Sequence, residues 1–141
     1  MVSMEAKMND NMVFVRLDDG EDIMNSLRSV AKQFGIQSGI IVCGIGMLKD
    51  VVIAYYSMEE KEYKKRKLSG AFELTSIAGN IAGDVIHAHV TLADGNNNVY
   101  GGHLITGKVC NVNELVIIKL DGIRLERVYD KAKGFMKLEV E

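Results

Sequence analysis

The sequence contains no proline and no tryptophan, only two cysteines and only three histidines. Each shortage excludes something. Average proline usage near ~5% would supply several prolines to a chain of this size, so their absence rules out PxxP ligands and proline-rich linkers. Cys43 and Cys110 lie too far apart in sequence for a Cys-x-x-Cys redox or zinc motif, and two cysteines make no disulfide framework. Each reads as a small buried hydrophobe. No apolar run reaches the ~18 residues of a membrane-spanning helix. The opening "MVSMEAKMNDNMVF" has no apolar region of the secretory kind, so the expected location is cytoplasmic. A strong basic excess is missing too: net charge is −2 and the pI is near 5.9. That argues against a surface made as a whole for nucleic acid, whose binding depends on neutralising phosphates.

The chain has 141 residues, 48% hydrophobic and 26% charged, the balance of a globular domain large enough to fold without metal or disulfide staples. Residues 1–11 are polar, Met-rich and without period, and are expected to be a loose tail; residues 12–141 are expected to be a single domain. "MVFVRLD" reads as a strand closed by Asp18, Asp19 and Gly20. A helix follows, with Ile23, Leu27, Val30, Ala31 and Phe34 on one face, Glu21 and Asp22 in its first turn, and Gly35 as its C-terminal cap. "GIIVCGIGML" and "VVIAYYSM" read as two strands joined tightly at Lys49 and Asp50, the first apolar on both faces and so central and buried. "FELTSIAGNI", "DVIHAHVTL", "NVYGGHLITGKV", "ELVIIKL" and "GFMKLEV" continue as strands. About seven or eight strands and one main helix give an α+β class with a mostly antiparallel β-sheet.

The only charge cluster, "KEYKKRK" at 61–67, carries five of the seventeen basic residues. It reads as a solvated loop or the exposed end of a hairpin before it reads as a phosphate-binding segment. Three motif matches fail. "GHLITGKV" has Walker A spacing, but Val109 stands where Ser or Thr must hold magnesium. "DGNNN" imitates a calcium loop, but Val99 and Ile105 replace the required Gly and Glu. "CGIGML" lacks the third glycine of a dinucleotide fingerprint.

All three histidines fall within "HAHVTLADGNNNVYGGH". Along 85–92 the even residues Ile86, Ala88, Val90 and Leu92 take the core face, leaving His87 and His89 on the other. If "DGNNN" joins two strands, residue 93 pairs with 99 and His89 faces His103 directly. Opposed Cβ atoms lie roughly 4.5 to 5.5 Å apart, so three imidazoles reach one point. Three neutral imidazoles with an open fourth position are the ligand set of open zinc sites, in which bound water is acidified to a pKa of ~7. A hydrogen-bonded histidine cluster or subunit packing is the plainer use of the same residues.

From about residue 13 onward the sequence resembles the plants and prokaryotes conserved (PPC) domain, which follows an AT-hook in plants and stands alone in bacteria and archaea. The residues that carry the resemblance are "RLDDGEDI" with Arg16, Gly20 and Asp22, then "GAFELTSIAGNI" with Gly70, Phe72, Glu73, Leu74 and Gly79, and finally "HAHVTLADG" with "GGHLITGKV". The resemblance implies a homotrimer and a possible zinc ion on His87, His89 and His103. It also implies partner contacts through Phe72 and Glu73 and a predicted DNA-binding or regulatory role. With no proline there is no Arg-Gly-Arg-Pro element, so any DNA or protein partner is met without an AT-hook. The alternative function is a zinc-dependent hydrolase or lyase, with Glu73 as general base and Arg16 as anion clamp.

Overall fold

A computed structural model describes residues 4–141. Nine strands and one helix run in the order β1 (Glu5–Asn9), β2 (Met12–Asp18), α1 (Ile23–Gln33), β3 (Ser38–Ser57), β4 (Glu62–Lys67), β5 (Ala71–Ala82), β6 (Val85–Ala93), β7 (Val99–Lys119), β8 (Leu125–Asp130) and β9 (Phe135–Val140). Seven strands form one sheet in the order β1-β2-β7-β6-β5-β3-β4, every pairing antiparallel, and β8 and β9 make a separate hairpin. β7 also pairs with β3, so β3, β5, β6 and β7 close into a ring of pairings. The expected α+β class, mostly antiparallel with one main helix, is the observed one.

Helix α1 forms where the apolar period predicted it. Ile23, Leu27, Val30 and Ala31 are buried, and Phe34 ends the helix. Asp22 is the N-cap, its carboxylate accepting from the Asn25 amide. Glu21 instead accepts from the Asp18 amide, before the helix begins. Gly35, at φ 63°, supplies the left-handed turn that ends it. The helix joins the strands' inward residues, among them Val15, Leu17, Ile77, Ile81, Leu92, Leu104 and Ile117, in one core.

Several sequence expectations need correction. The segment expected to be a loose tail contains β1, whose Glu5 to Asn9 pair with Arg16 to Met12; only residues 1–3 of that segment lie outside the described residues. Its polar composition misled because β1 is an edge strand with most of its side chains in solvent. The two strands expected around Lys49 and Asp50 are one, β3, which turns through register shifts at that point with Asp50 at φ 52°. "NVYGGHLITGKV" and "ELVIIKL" are likewise one strand, β7. In β3, Gly46 at φ 143° meets the buried Asn113, whose amide donates to the Met47 and Val112 carbonyls. A Cβ at Gly46 would collide with the Val112 carbonyl. Of the two readings of "KEYKKRK", the exposed end of a hairpin holds: it contains β4, an edge strand paired with β3 whose six residues are all exposed. Cys43 is exposed and Cys110 half-buried, not core residues.

β3 is central, as expected, but it is not buried on both faces. Ile40, Val42 and Ile45 are exposed, as are Met12 and Phe14 on β2. Pairing sets these side chains in rows across three strands: Met12, Ile118 and Ile40 in one, Phe14, Val116 and Cys43 in the next. One side of these strands faces the core and the other presents apolar surface to solvent.

Candidate metal centre

The three histidines converge because β6 and β7 pair in the predicted register. Ala93 lies opposite Val99 and His89 opposite His103. The turn that fixes this register is built on Asp94. Its carboxylate accepts from the amides of Asn96 and Asn98, and Asn97 takes the left-handed conformation at φ 62°. These bonds hold the Asp94 carboxyl below its usual pKa, the Asn98 amide contributing most. Ile86, Ala88, Val90 and Leu92 fill the core, so His87 and His89 point the other way. Behind them Gly79 of β5 lies opposite Ala88, and a Cβ there would collide with the His87 carbonyl. Glycine at 79 therefore lets β5 and β6 close at the level of His87.

Each imidazole has a ring nitrogen within 4.8 Å of the others'. His87 Nε2 stands 3.2 Å from His89 Nε2. Two nitrogens on one tetrahedral zinc, each at about 2.0 to 2.1 Å, are separated by about 3.3 Å. His103 Nδ1 is buried with no hydrogen-bond partner, and its ring stacks on Tyr63, centroids 4.6 Å apart. On donor type and spacing, the three residues fit a zinc ion.

The surroundings of His87 and His103 favour their neutral forms. Burial lowers the pKa of His87 from 6.5 to about 4, with the Arg127 charge as the next cause. Burial and the neighbouring His89 lower His103 as well. Arg127 is itself pushed below its ordinary value by burial. It comes from β8, and its Nη2 donates to Asn80 Oδ1 at 2.7 Å and contacts His87 Nδ1 at 3.2 Å.

The histidines lie at one side of a cavity of about 820 Å³. Tyr56 of β3, Tyr63 of β4 and Tyr129, Phe135 and Met136 of the β8–β9 hairpin give it a largely apolar wall, and Lys61, Glu62 and Arg127 add charge. Tyr56 packs edge-to-face on both Tyr63 and Phe135 and donates to the Gly134 carbonyl at 3.5 Å, joining main sheet to hairpin.

The other predicted site residues are elsewhere. Arg16 and Glu73 do not line the cavity. Arg16 is held by Asp18 and Glu5, and Glu73 is exposed at the far end of β5, opposite Ala93. Phe72 is buried, edge-to-face with Tyr100, so in this chain it is a core residue beside an exposed carboxylate. Arg127, Asn80 and Tyr63 were not foreseen. Alternation along "EYKKRK" places Tyr63 on a strand face, but no sequence pattern marks Arg127 or Asn80.

The architecture occurs in known proteins. A plant- and prokaryote-conserved (PPC) protein of Pyrococcus horikoshii is 35% identical, with 99% of this chain and 94% of that one covered at a TM-score of 0.85. A metal-containing protein of Archaeoglobus fulgidus is 32% identical, with 97% and 96% covered at 0.81. A protein of Bacteroides thetaiotaomicron, assigned provisionally to DNA binding, shares the fold at a TM-score of 0.89 with 23% identity and 96% of each chain covered. Among curated proteins, the bifunctional protein GlmU of Synechococcus sp. strain JA-2-3B'a(2-13) is 27% identical over 128 residues, 90% of this chain. The match spans only 20% of that relative's length. The family model for the Plants and Prokaryotes Conserved (PCC) domain matches residues 4–121. The chain is therefore a member of the plants and prokaryotes conserved domain family.

Proposed function

We propose that this protein is a regulatory, ligand-binding module in which His87, His89 and His103 hold a zinc ion beside a cavity that admits a small molecule. The observation that carries this reading is the convergence of three imidazoles, with ring nitrogens within 4.8 Å of one another. The metal-containing relative from Archaeoglobus fulgidus supports it. When bound, zinc would supply a Lewis acid at the cavity wall. Of the chain's own residues, Tyr63 braces His103 by ring stacking, and aromatic side chains form much of the wall beside the histidines. In the alternative reading, a zinc-dependent hydrolase or lyase, neither Glu73 nor Arg16 serves, because neither lines the cavity; Glu62 is the carboxylate that does. A binding role asks less of the residues present.

Zinc measured in tag-free protein tests the proposal. One zinc per chain is expected in the wild type, and His89→Ala should lose stoichiometric binding, because two imidazoles replace three. A wild type that takes up no zinc from a zinc-supplemented buffer refutes the site.

A DNA contact is a second reading, favoured by β4, which displays Lys64, Lys65, Arg66 and Lys67 on an exposed edge. It needs no AT-hook. If these residues neutralise phosphates, DNA affinity should fall steeply with salt, by a log–log slope of about −0.9 per phosphate contact. A flat titration removes the reading. The exposed apolar rows of β2, β7 and β3 support assembly into the homotrimer that the family resemblance implies, since monomers seldom expose such a patch without use. The cytoplasm is the proposed location. Cys43 is an exposed free thiol, the form that a reducing compartment preserves.

A further inference from the structure

Arg127 and the proposed metal make conflicting demands on His87. A guanidinium has only donors, so at 3.2 Å from Arg127 Nη2 the Nδ1 atom of His87 acts as acceptor. The proton of this neutral ring then sits on Nε2, where it points at His89 Nε2 at 3.2 Å. That is the nitrogen a shared metal would need. Coordination through His87 Nε2 requires the other tautomer, with the proton on Nδ1, and an N–H there cannot face an Arg127 donor. The usual partner of a metal-bound imidazole is the reverse: an acceptor such as a carboxylate or carbonyl at the remaining N–H.

Arg127 also lacks the counter-ion that a half-buried guanidinium ordinarily has. Among the described residues no carboxylate forms an ion pair with it, its Nη2 is tethered to the neutral Asn80, and its Nε is buried without a partner. It lines the same cavity as the histidines, whose wall is largely Tyr56, Tyr63, Phe135 and Met136. A planar guanidinium fork without a counter-ion, lining a cavity with an aromatic wall, suits a carboxylate carrying an apolar body.

Resting on the zinc reading above, we propose that the cavity takes an organic carboxylate with an apolar body, and that Arg127 couples its binding to that of the metal. In the metal-free form Arg127 donates to His87 and holds it in the tautomer that cannot ligate. The carboxylate draws Arg127 away. His87 then loses its Nε2 proton to solvent and takes one on Nδ1, with no net change in protonation, and Nε2 is free to coordinate. Because coupling free energies are reciprocal, metal and carboxylate each raise the affinity for the other.

Phenylacetate serves as the probe and phenylacetamide as its uncharged control. Zinc affinity of the full chain is measured by competition with a chelator, with and without each compound. Phenylacetate should tighten zinc binding by about tenfold, within the usual range of coupling between sites. Phenylacetamide should leave it unchanged. In Arg127→Gln the side-chain oxygen accepts from Nδ1–H and favours the ligating tautomer. Zinc should then bind that variant at least as tightly as it binds wild type, with no further response to phenylacetate. Wild-type zinc affinity that ignores phenylacetate, or that responds equally to phenylacetamide, overturns the coupling while leaving the zinc site standing, and this comparison needs no variant. Arg127→Gln that binds zinc about tenfold more weakly, or that still responds to phenylacetate, overturns it too. Absence of zinc binding in wild type removes the three-histidine site and the coupling together.

Discussion

The β6–β7 and β8–β9 hairpins meet at the same cavity but are built in opposite ways. β6 and β7 lie inside the ring of paired strands, and their inward side chains are core. β8 and β9 pair only with each other, and of their residues only Leu125 is buried. Their fastening to the rest consists of a few polar and aromatic contacts: the Leu125 amide to Ser38 Oγ, Arg127 to Asn80, and Tyr56 against Phe135 and Gly134. The first hairpin positions ligands by backbone register, which changes only if the core changes. The second brings a charge and an aromatic wall by contacts whose loss costs the core little. Precision and adjustability are thus divided between two elements of one site.

Substitutions at the two hairpins' supports should differ accordingly. The largest effect belongs to Gly79→Ala, which forces β5 away from the His87 carbonyl. We expect destabilisation of about 1–3 kcal/mol, the usual range for an added group in a packed site. Thermal unfolding reads the loss, and zinc affinity should fall with it, since His87 moves with its strand. Unchanged stability would mean that the β5–β6 pairing yields more readily than the division of labour allows.

Acidification comes next. The folded His87 pKa of about 4 lies below its ordinary 6.5, so between those values the unfolded chain binds the proton first. The stability that neutral His87 confers is full above pH 6.5, drains away as pH falls through that window, and is gone below about pH 4. His103 shifts in the same direction. Metal-free protein should therefore lose melting temperature on going from pH 7 to pH 4.5, and His87→Gln should lose less. Equal losses would show that other groups govern the acid limb.

The smallest effect is expected at the second hairpin. Tyr56→Phe removes one long hydrogen bond to Gly134 and keeps the ring packing. A cost of about 0.5 kcal/mol or less is expected. Hydrogen exchange should rise in β8 and β9 and stay unchanged in β6 and β7. A rise in both would merge the two hairpins into one cooperative unit.

The same contrast explains what could be read from the amino-acid order. The β6–β7 site was legible because period-two alternation fixes which face each residue takes, and an odd-length turn fixes the pairing. Both are local. Helix α1 was legible for the same reason, through its apolar period and the glycine after it. Arg127 and Asn80 were not legible, because their meeting with His87 depends on how a peripheral hairpin folds back over the sheet. The chain's charge pattern holds no trace of it. β1 was missed, and β4 was narrowed only to a loop or a hairpin's exposed end, because edge strands keep their side chains in solvent and so lose the alternation that marks buried ones. Cys43 and the apolar residues beside it misled in the other direction, since hydrophobicity reports that a face is to be covered and not what covers it.

The exposed, charged β4 has a further consequence, shared with β1 at the opposite end of the sheet. An unpaired strand edge offers hydrogen-bonding groups to any strand that drifts past. Here one edge carries Lys64, Lys65, Arg66 and Lys67, and the other carries Glu5 and Lys7. A strand added at either end would have to strip water from those charges. Among the described residues, both ends of the seven-stranded sheet are therefore guarded by charge against growth by strand addition.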